Sequence, residues 1–132
     1  MLVRDAMAKN LLTVRPDHTV AEAARLMISR HVGAAVVVND ELPGPGIITE
    51  RDIMRCVGDG RDPASTPVRE AMTFEARTAT TTWDLDTAAN EMVRNNFRHL
   101  LVVDEQGVLA GVVSMRDVVR AGLSNRLAAA SS

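Results

Sequence analysis

Apolar positions along the chain fall into short continuous aliphatic runs and longer stretches with helical spacing. Residues 34–38 read Ala-Ala-Val-Val-Val, a β-branched run that predicts a buried strand. Upstream, Val20, Ala23, Ala24, Met27 and Ile28 recur at the spacing of one helical face, predicting a helix over residues 20–30. Thr19 and Glu22 stand three apart at its start, the spacing of a capping box. Around this pair, residues 3–7 predict a helical turn and 11–14 a short strand. Residues 39–45 predict a turn, for they hold two prolines and a glycine. Residues 46–48 predict a second strand, after which Thr49 opens a helix to about residue 57.

The pattern then recurs. Shifted by 65 positions, residues 3–57 fall on 68–122 without a gap, and 14 of 55 positions are identical. Val3-Arg4-Asp5-Ala6-Met7 falls on Val68-Arg69-Glu70-Ala71-Met72. Gly46-Ile47-Ile48-Thr49-Glu50-Arg51-Asp52 falls on Gly111-Val112-Val113-Ser114-Met115-Arg116-Asp117. Such a match is an internal duplication. The second copy predicts strands at 76–78, 100–104 and 108–113 and helices at 87–95 and 116–121. The repeats divide as residues 1–60 and 68–123 around a linker at 61–67, and the Ala/Ser-rich residues 124–132 read as a flexible tail. Each half is β-α-β-β-α and too small to be secure alone. The expected fold class is therefore α+β, two tandem repeats packed through their sheets with pseudo-two-fold symmetry and helices outside.

Composition narrows the function. Fifteen Lys+Arg against 17 Asp+Glu give a net charge of −2, which excludes a broadly basic protein bound to nucleic acid through its phosphates. With 2% aromatics there is little on which to stack single-stranded bases. The longest apolar run, 32–38, falls far short of the roughly 20 residues of a spanning helix. The start of the chain has no apolar signal region, and the single cysteine, Cys56, forms no disulfide within the chain. A cytoplasmic protein is the expectation, without nucleic-acid or membrane partners.

The two copies share a sequence with chemical content, Gly-h-h-Ser/Thr-x-x-Asp, where h is apolar. Thr49 with Asp52, and Ser114 with Asp117, have the spacing of capping boxes at strand-to-helix turns, and by spacing alone that is the stronger reading. The same geometry also suits a ligand. Free N–H groups and the positive end of the helix dipole favour a phosphate. A carboxylate there can accept from both hydroxyls of a ribose.

Two gap-free copies of β-α-β-β-α, each ending in this motif, resemble a CBS-domain pair, also called a Bateman module. The resemblance covers residues 3–122 and implies a stand-alone pair, since no catalytic or DNA-binding segment is left over. It also implies that Thr49, Asp52, Ser114 and Asp117 hold phosphate and ribose, which reverses the order of the two readings, and that Val112 in the motif strand joins the site. Each base pocket would come from the opposite repeat. For Asp117 the matching positions are Leu12, Val32, Gly33 and Ala34, apolar and small enough for a purine, although Leu12 alone reads as core. For Asp52 they are Arg77, Phe97, Arg98 and His99, bulkier and charged, a departure from the usual lining. Arg98 and His99 match positions that contact phosphates in nucleotide-sensing relatives. Arg51 and Arg116 add charge inside the motifs, though Arg51 also fits a solvated helix face.

The implied function is a non-enzymatic regulatory module that binds an adenosyl ligand (AMP, ADP, ATP or a relative) in the cleft between its repeats. No cofactor is required. The implied partners are a second copy in a homodimer and an unknown effector protein. The alternative is a ligand-free interaction module whose motif residues are only caps. An enzyme is disfavoured, for no nucleophile–base set, P-loop or metal-binding spacing occurs, and His18, His31 and His99 are scattered. Cys56 reads as a buried structural thiol. Trp83, ahead of the expected N-cap Asp84, reads as a packing residue. Ile53, Met54 and Val57 in one copy, and Val118, Val119 and Leu123 in the other, form apolar stripes through which related pairs dimerise.

Overall fold

The computed structural model describes residues 1–40, 42 and 44–131, with backbone alone over 124–131. In chain order the elements are α1 (Val3–Ala6), β1 (Thr13–Val14), α2 (Val20–Arg30), β2 (Ala34–Val37), β3 (Gly46–Thr49) and α3 (Glu50–Gly58). A single 3-10 turn, Val68–Glu70, leads to β4 (Thr78–Thr80), α4 (Leu85–Asn95), β5 (His99–Val103), β6 (Leu109–Ser114) and α5 (Met115–Ser131). The class is α+β, with two three-stranded sheets. In each sheet the middle strand pairs parallel with the first and antiparallel with the third: β1-β2-β3 and β4-β5-β6.

The helix starts follow from their caps. The Thr19 hydroxyl accepts the Glu22 N–H at 3.1 Å, and Asp84 accepts the Asp86 N–H at 3.0 Å. This second cap starts α4 at Leu85, two residues before the expected Thr87. Trp83 is half-buried against the core that contains Ala88. α2 and α4 both end in a left-handed residue, His31 at φ 56° and Asn96 at φ 58°. That conformation is costly for a histidine and easier for an asparagine.

Several expectations shift. β4 starts at Thr78 rather than Ala76, because Ala76 donates its N–H to the Pro45 carbonyl instead of joining the sheet. β5 ends at Val103, since Asp104 turns to accept the Gln106 and Val108 N–H groups at 2.9 Å each. Val108 is accordingly exposed and β6 begins at Leu109. Ile28, expected on the buried stripe, lies outside it, 75% exposed, a turn of about 100° from buried Met27. The segment read as a flexible tail continues α5 to Ser131, consistent with the high helix propensity of its alanines. Within the turn at 39–45, Glu41 and Pro43 lie outside the described residues.

The compact units cut across the sequence repeats. One unit is Leu11–Ala76; the other joins Met1–Asn10 to Arg77–Ser132. The leading segment of each repeat thus packs with the sheet of the other. In the Leu11–Ala76 unit, Val68 and Met72 share a core with Val14, Val20, Met27, Ile48 and Cys56. Cys56 is the buried thiol expected. In the other unit Val3 enters the core of Ala79, Leu85, Met92, Leu100 and Val113. The same exchange completes the helices. Val20 and Ala21 donate to the Thr66 and Pro63 carbonyls at 2.8 and 3.0 Å, and Leu85 donates to the Met1 carbonyl at 2.8 Å.

The glycine of the shared motif has its reason here. Thr73 exchanges two backbone hydrogen bonds with Ile47, and Ala8 does so with Val112. A Cβ on Gly111 would stand 2.5 Å from the Ala8 carbonyl oxygen, and one on Gly46 would stand 2.7 Å from that of Thr73. The exchanged segment passes too close for a side chain.

Candidate functional site

Each motif lies where the third strand of a sheet turns into a helix. In the Leu11–Ala76 unit, Asp52 Oδ2 accepts the Thr49 N–H at 2.9 Å and the Thr49 hydroxyl at 3.1 Å. The Asp52 N–H in turn donates to Thr49 Oγ1 at 3.2 Å. In the other unit Asp117 Oδ2 accepts the Ser114 N–H at 2.8 Å and its hydroxyl at 3.0 Å, and the Asp117 N–H donates to Ser114 Oγ at 3.1 Å. Both are complete capping boxes, each stabilising its helix by about 1 kcal/mol. Thr19 and Glu22 build a third, so capping alone does not mark a ligand site.

An arginine one turn on faces each carboxylate. Arg55 stands 3.6 Å from Asp52 Oδ1 and Arg120 stands 3.6 Å from Asp117 Oδ1. The carboxylates are nearly covered, at 8% and 13% exposure, whereas both arginines are mostly in solvent. Exposed guanidinium groups of this kind contribute little stability, about 0–1 kcal/mol. Their effect is local charge. The identity of Arg55 and Arg120 across the 65-residue offset marks them in the sequence, but no role attached to them there.

The first amides of the motif helices are less available than expected. The Glu50 N–H donates to the Gly33 carbonyl at 3.0 Å, and the Met115 N–H donates to the Arg98 carbonyl at 2.9 Å. With the Asp amides held by Thr49 and Ser114, the first and third amides of α3 and α5 are already engaged. The expectation of free N–H groups for a phosphate is corrected to that extent. The Thr49 and Ser114 hydroxyls likewise give their hydrogens to the Asp carboxylates.

The sheet register groups the other residues within each unit. Ala34 lies opposite Thr49, so Gly33, Ala34, Thr49, Arg51 and Asp52 gather at one end of the first sheet. Val32 is half-buried beside them and donates its N–H to the Met27 carbonyl. Leu12 is buried at the start of that sheet, and its carbonyl accepts the Val36 N–H at 2.9 Å. His99 lies opposite Ser114, which gathers Arg98, His99, Ser114, Arg116 and Asp117 at the corresponding end of the second sheet. Arg98 and Arg116 are exposed and His99 is half-buried. Val112 lies opposite Leu101 within β6, half-buried and bridged to Ala8. Arg77 adjoins this end too, its guanidinium over the Phe97 ring at 5.9 Å. The repeat offset groups Arg77 and Phe97 in one pocket, but the cation–π contact between them is not legible in the sequence.

Two duplicated α+β units, each ending in the same capped strand-to-helix turn, define a tandem-repeat module. The chain belongs to the CBS domain family, which matches residues 3–59 and 68–124. It is 36% identical over 127 residues to a CBS domain-containing protein of Bacillus subtilis, covering 96% of this chain and 89% of that protein. Other curated relatives are longer, and the chain spans 65%, 41% and 61% of three archaeal ones. Among solved structures, a CBS domain protein of Pyrobaculum aerophilum complexed with AMP superposes with a TM-score of 0.79 at 29% identity, covering 89% of each chain. The CBS domain pair of protein MJ0100, in complex with 5-methylthioadenosine and S-adenosyl-L-methionine, superposes with a TM-score of 0.84 at 26% identity, covering 95% of this chain and 98% of that one. No helix among the described residues is long and apolar enough to cross a membrane.

Proposed function

We propose that this chain is a non-enzymatic regulatory module of the cytoplasm that binds an adenosyl ligand between its repeats and passes the signal to a separate effector protein. The observation that carries this reading is the paired Ser/Thr hydroxyl and Asp carboxylate at both motif turns, held in register by the caps. A carboxylate so fixed is preorganised to accept the two hydroxyls of a ribose. Asp117 would be served by Leu12, Val32, Gly33 and Ala34, apolar walls for a purine. The Gly33 carbonyl accepts the Glu50 N–H, and a carbonyl's second lone pair could take a ring-edge donor. Arg98, His99, Arg51 and Arg116 would face phosphate. Similar CBS proteins have been solved with AMP and with methylthioadenosine and S-adenosylmethionine, which supports an adenosyl group and leaves its substituent open. Regulation requires that the ligand favour one arrangement of the module over another.

Calorimetric titration with adenosine, AMP, ADP, ATP and S-adenosylmethionine tests this. Saturable binding of at least one is expected, and a ligand at 100 times its Kd should stabilise the fold by about 2.7 kcal/mol. Heat from none of them, with no shift in melting temperature, would overturn it.

A second reading has its own support. The capping boxes account for Thr49, Asp52, Ser114 and Asp117 without a ligand, and Met54, Val57, Val119 and Leu123 expose apolar surface. On that reading the module acts through self-association alone.

A further inference from the structure

Arg77 and Phe97 mark the place where the two duplicated units differ most in chemistry. β4 and β5 run parallel, with Thr78 opposite Leu101, so their starts lie at one end of the sheet. Arg77 immediately precedes β4, and the Leu101 N–H donates to its carbonyl at 3.0 Å. Phe97 precedes β5 by two residues, and its half-buried ring lies under the Arg77 guanidinium at 5.9 Å. Sixty-five positions earlier the same places hold Leu12, which is buried, and Val32. The duplication has therefore become an apolar pair in one unit and a cation–π pair in the other.

The stack has a chemical consequence. The ring attracts the exposed guanidinium through its face, and a guanidinium drawn to a ring in this way can still offer its N–H donors to an anion. Among the described residues no ion pair engages Arg77 or Arg98. Two exposed arginines at the starts of neighbouring strands, one of them lying over an aromatic ring, offer donors to an extended anion. A nucleoside offers no such group, and S-adenosylmethionine carries a cationic sulfonium where a nucleotide carries phosphate. AMP offers one phosphate, whereas ATP extends a chain of three.

We propose that Arg77, held by Phe97, is a specificity-determining residue that makes the module rank adenosyl ligands by phosphate number, ATP above AMP above adenosine. The proposal rests on the adenosyl reading above. Phe97 acts through Arg77 and is a positioning residue.

The test is calorimetry of adenosine, AMP and ATP with the wild type, Arg77→Gln, Arg77→Lys and Phe97→Leu, at two salt concentrations, with inorganic tripolyphosphate as a further probe. Arg77→Gln should weaken ATP about tenfold and flatten its salt dependence, leaving adenosine within about twofold. Arg77→Lys should recover part of the loss, and Phe97→Leu should weaken ATP by less than Arg77→Gln while sparing adenosine. Equal losses for ATP and adenosine, or no loss of ATP, would overturn the role of Arg77 and leave the adenosyl reading standing. Should no adenosyl ligand bind the wild type, the adenosyl reading fails. Tripolyphosphate then decides for Arg77: binding lost in Arg77→Gln supports the anion site, and no binding to the wild type overturns it.

Discussion

Asp117 Oδ2 takes both hydrogens that Ser114 can offer, the backbone N–H at 2.8 Å and the hydroxyl at 3.0 Å. One carboxylate oxygen is thereby spent on the helix cap, and Oδ1, 3.6 Å from Arg120, is the oxygen turned toward other partners. The carboxylate that caps the helix is also the one proposed to hold ribose, so its removal is expected to act on both.

For Asp117→Ala the expected loss of folding stability is about 1 kcal/mol, the value of a cap. The loss in adenosine-nucleotide affinity should be tenfold or more, since hydrogen bonds to a charged group are worth about 1.5–3 kcal/mol. Asp52→Ala should cost the same stability but less affinity, the expectation that follows from the family resemblance, by which its base would meet Arg77, Phe97, Arg98 and His99 rather than small apolar residues. Melting curves of the ligand-free variants separate the two effects. If Asp52→Ala abolishes binding and Asp117→Ala spares it, the assignment of the two pockets is reversed.

Gly111→Ala and Gly46→Ala test the close passage of the exchanged segments. With carbonyl oxygens at 2.5 and 2.7 Å from the new Cβ, the backbone must shift, at a cost of about 1–3 kcal/mol. A Cβ on Gly122 in α5 would meet nothing within 4 Å, so that position serves as the control. Gly122→Ala should instead stabilise by about 0.5–1 kcal/mol through helix propensity. Urea unfolding of the three variants reads the sign directly. Wild-type stability in Gly111→Ala would mean that the Ala8 strand yields at no cost.

What the sequence made legible was local. The capping boxes of Thr19, Thr49 and Ser114 are contacts between residues three apart, and the residue types alone specify them. The strands of 34–37 and 99–103 followed from continuous aliphatic runs, to within a residue. The exchange of leading segments was not legible, because a repeat shifted by 65 looks the same whether Val68 packs on its own repeat or on the other. Ile28 failed for a related reason: a small amphipathic helix tolerates an apolar residue off its buried stripe. At the candidate site, sequence spacing placed Thr49, Asp52, Ser114 and Asp117 at the turns. The carbonyls of Gly33 and Arg98 that engage the first helix amides depend on strand register, which spacing does not encode.

Met54 and Val57 on α3, and Val119 and Leu123 on α5, are each more than half exposed. Apolar surface repeated on both motif helices is the expected seam of a two-fold homodimer. Sedimentation equilibrium at micromolar concentration should return twice the 14.3 kDa chain mass. Val119→Glu together with Met54→Glu should shift the protein to monomer while changing intrinsic stability little, as exposed substitutions do. A wild-type monomer at that concentration would remove the dimer.

The exchanged segments also predict how the chain divides. A fragment of residues 1–60 holds one whole sequence repeat but lacks Val68 and Met72, both buried in its core. Each such side chain contributes about 1.5–3 kcal/mol. It also lacks the Thr66 and Pro63 carbonyls that accept the first amides of α2. A fragment of residues 11–76 keeps all four groups and drops only α1 and its flanks, which belong to the other unit. At such lengths a single core is marginal, so a deficit of a few kcal/mol decides between folded and unfolded. Circular dichroism and urea titration should therefore find 11–76 the more helical and the more cooperative of the two. Equal behaviour, or a better-folded 1–60, would mean that the repeat, and not the exchanged unit, is what folds.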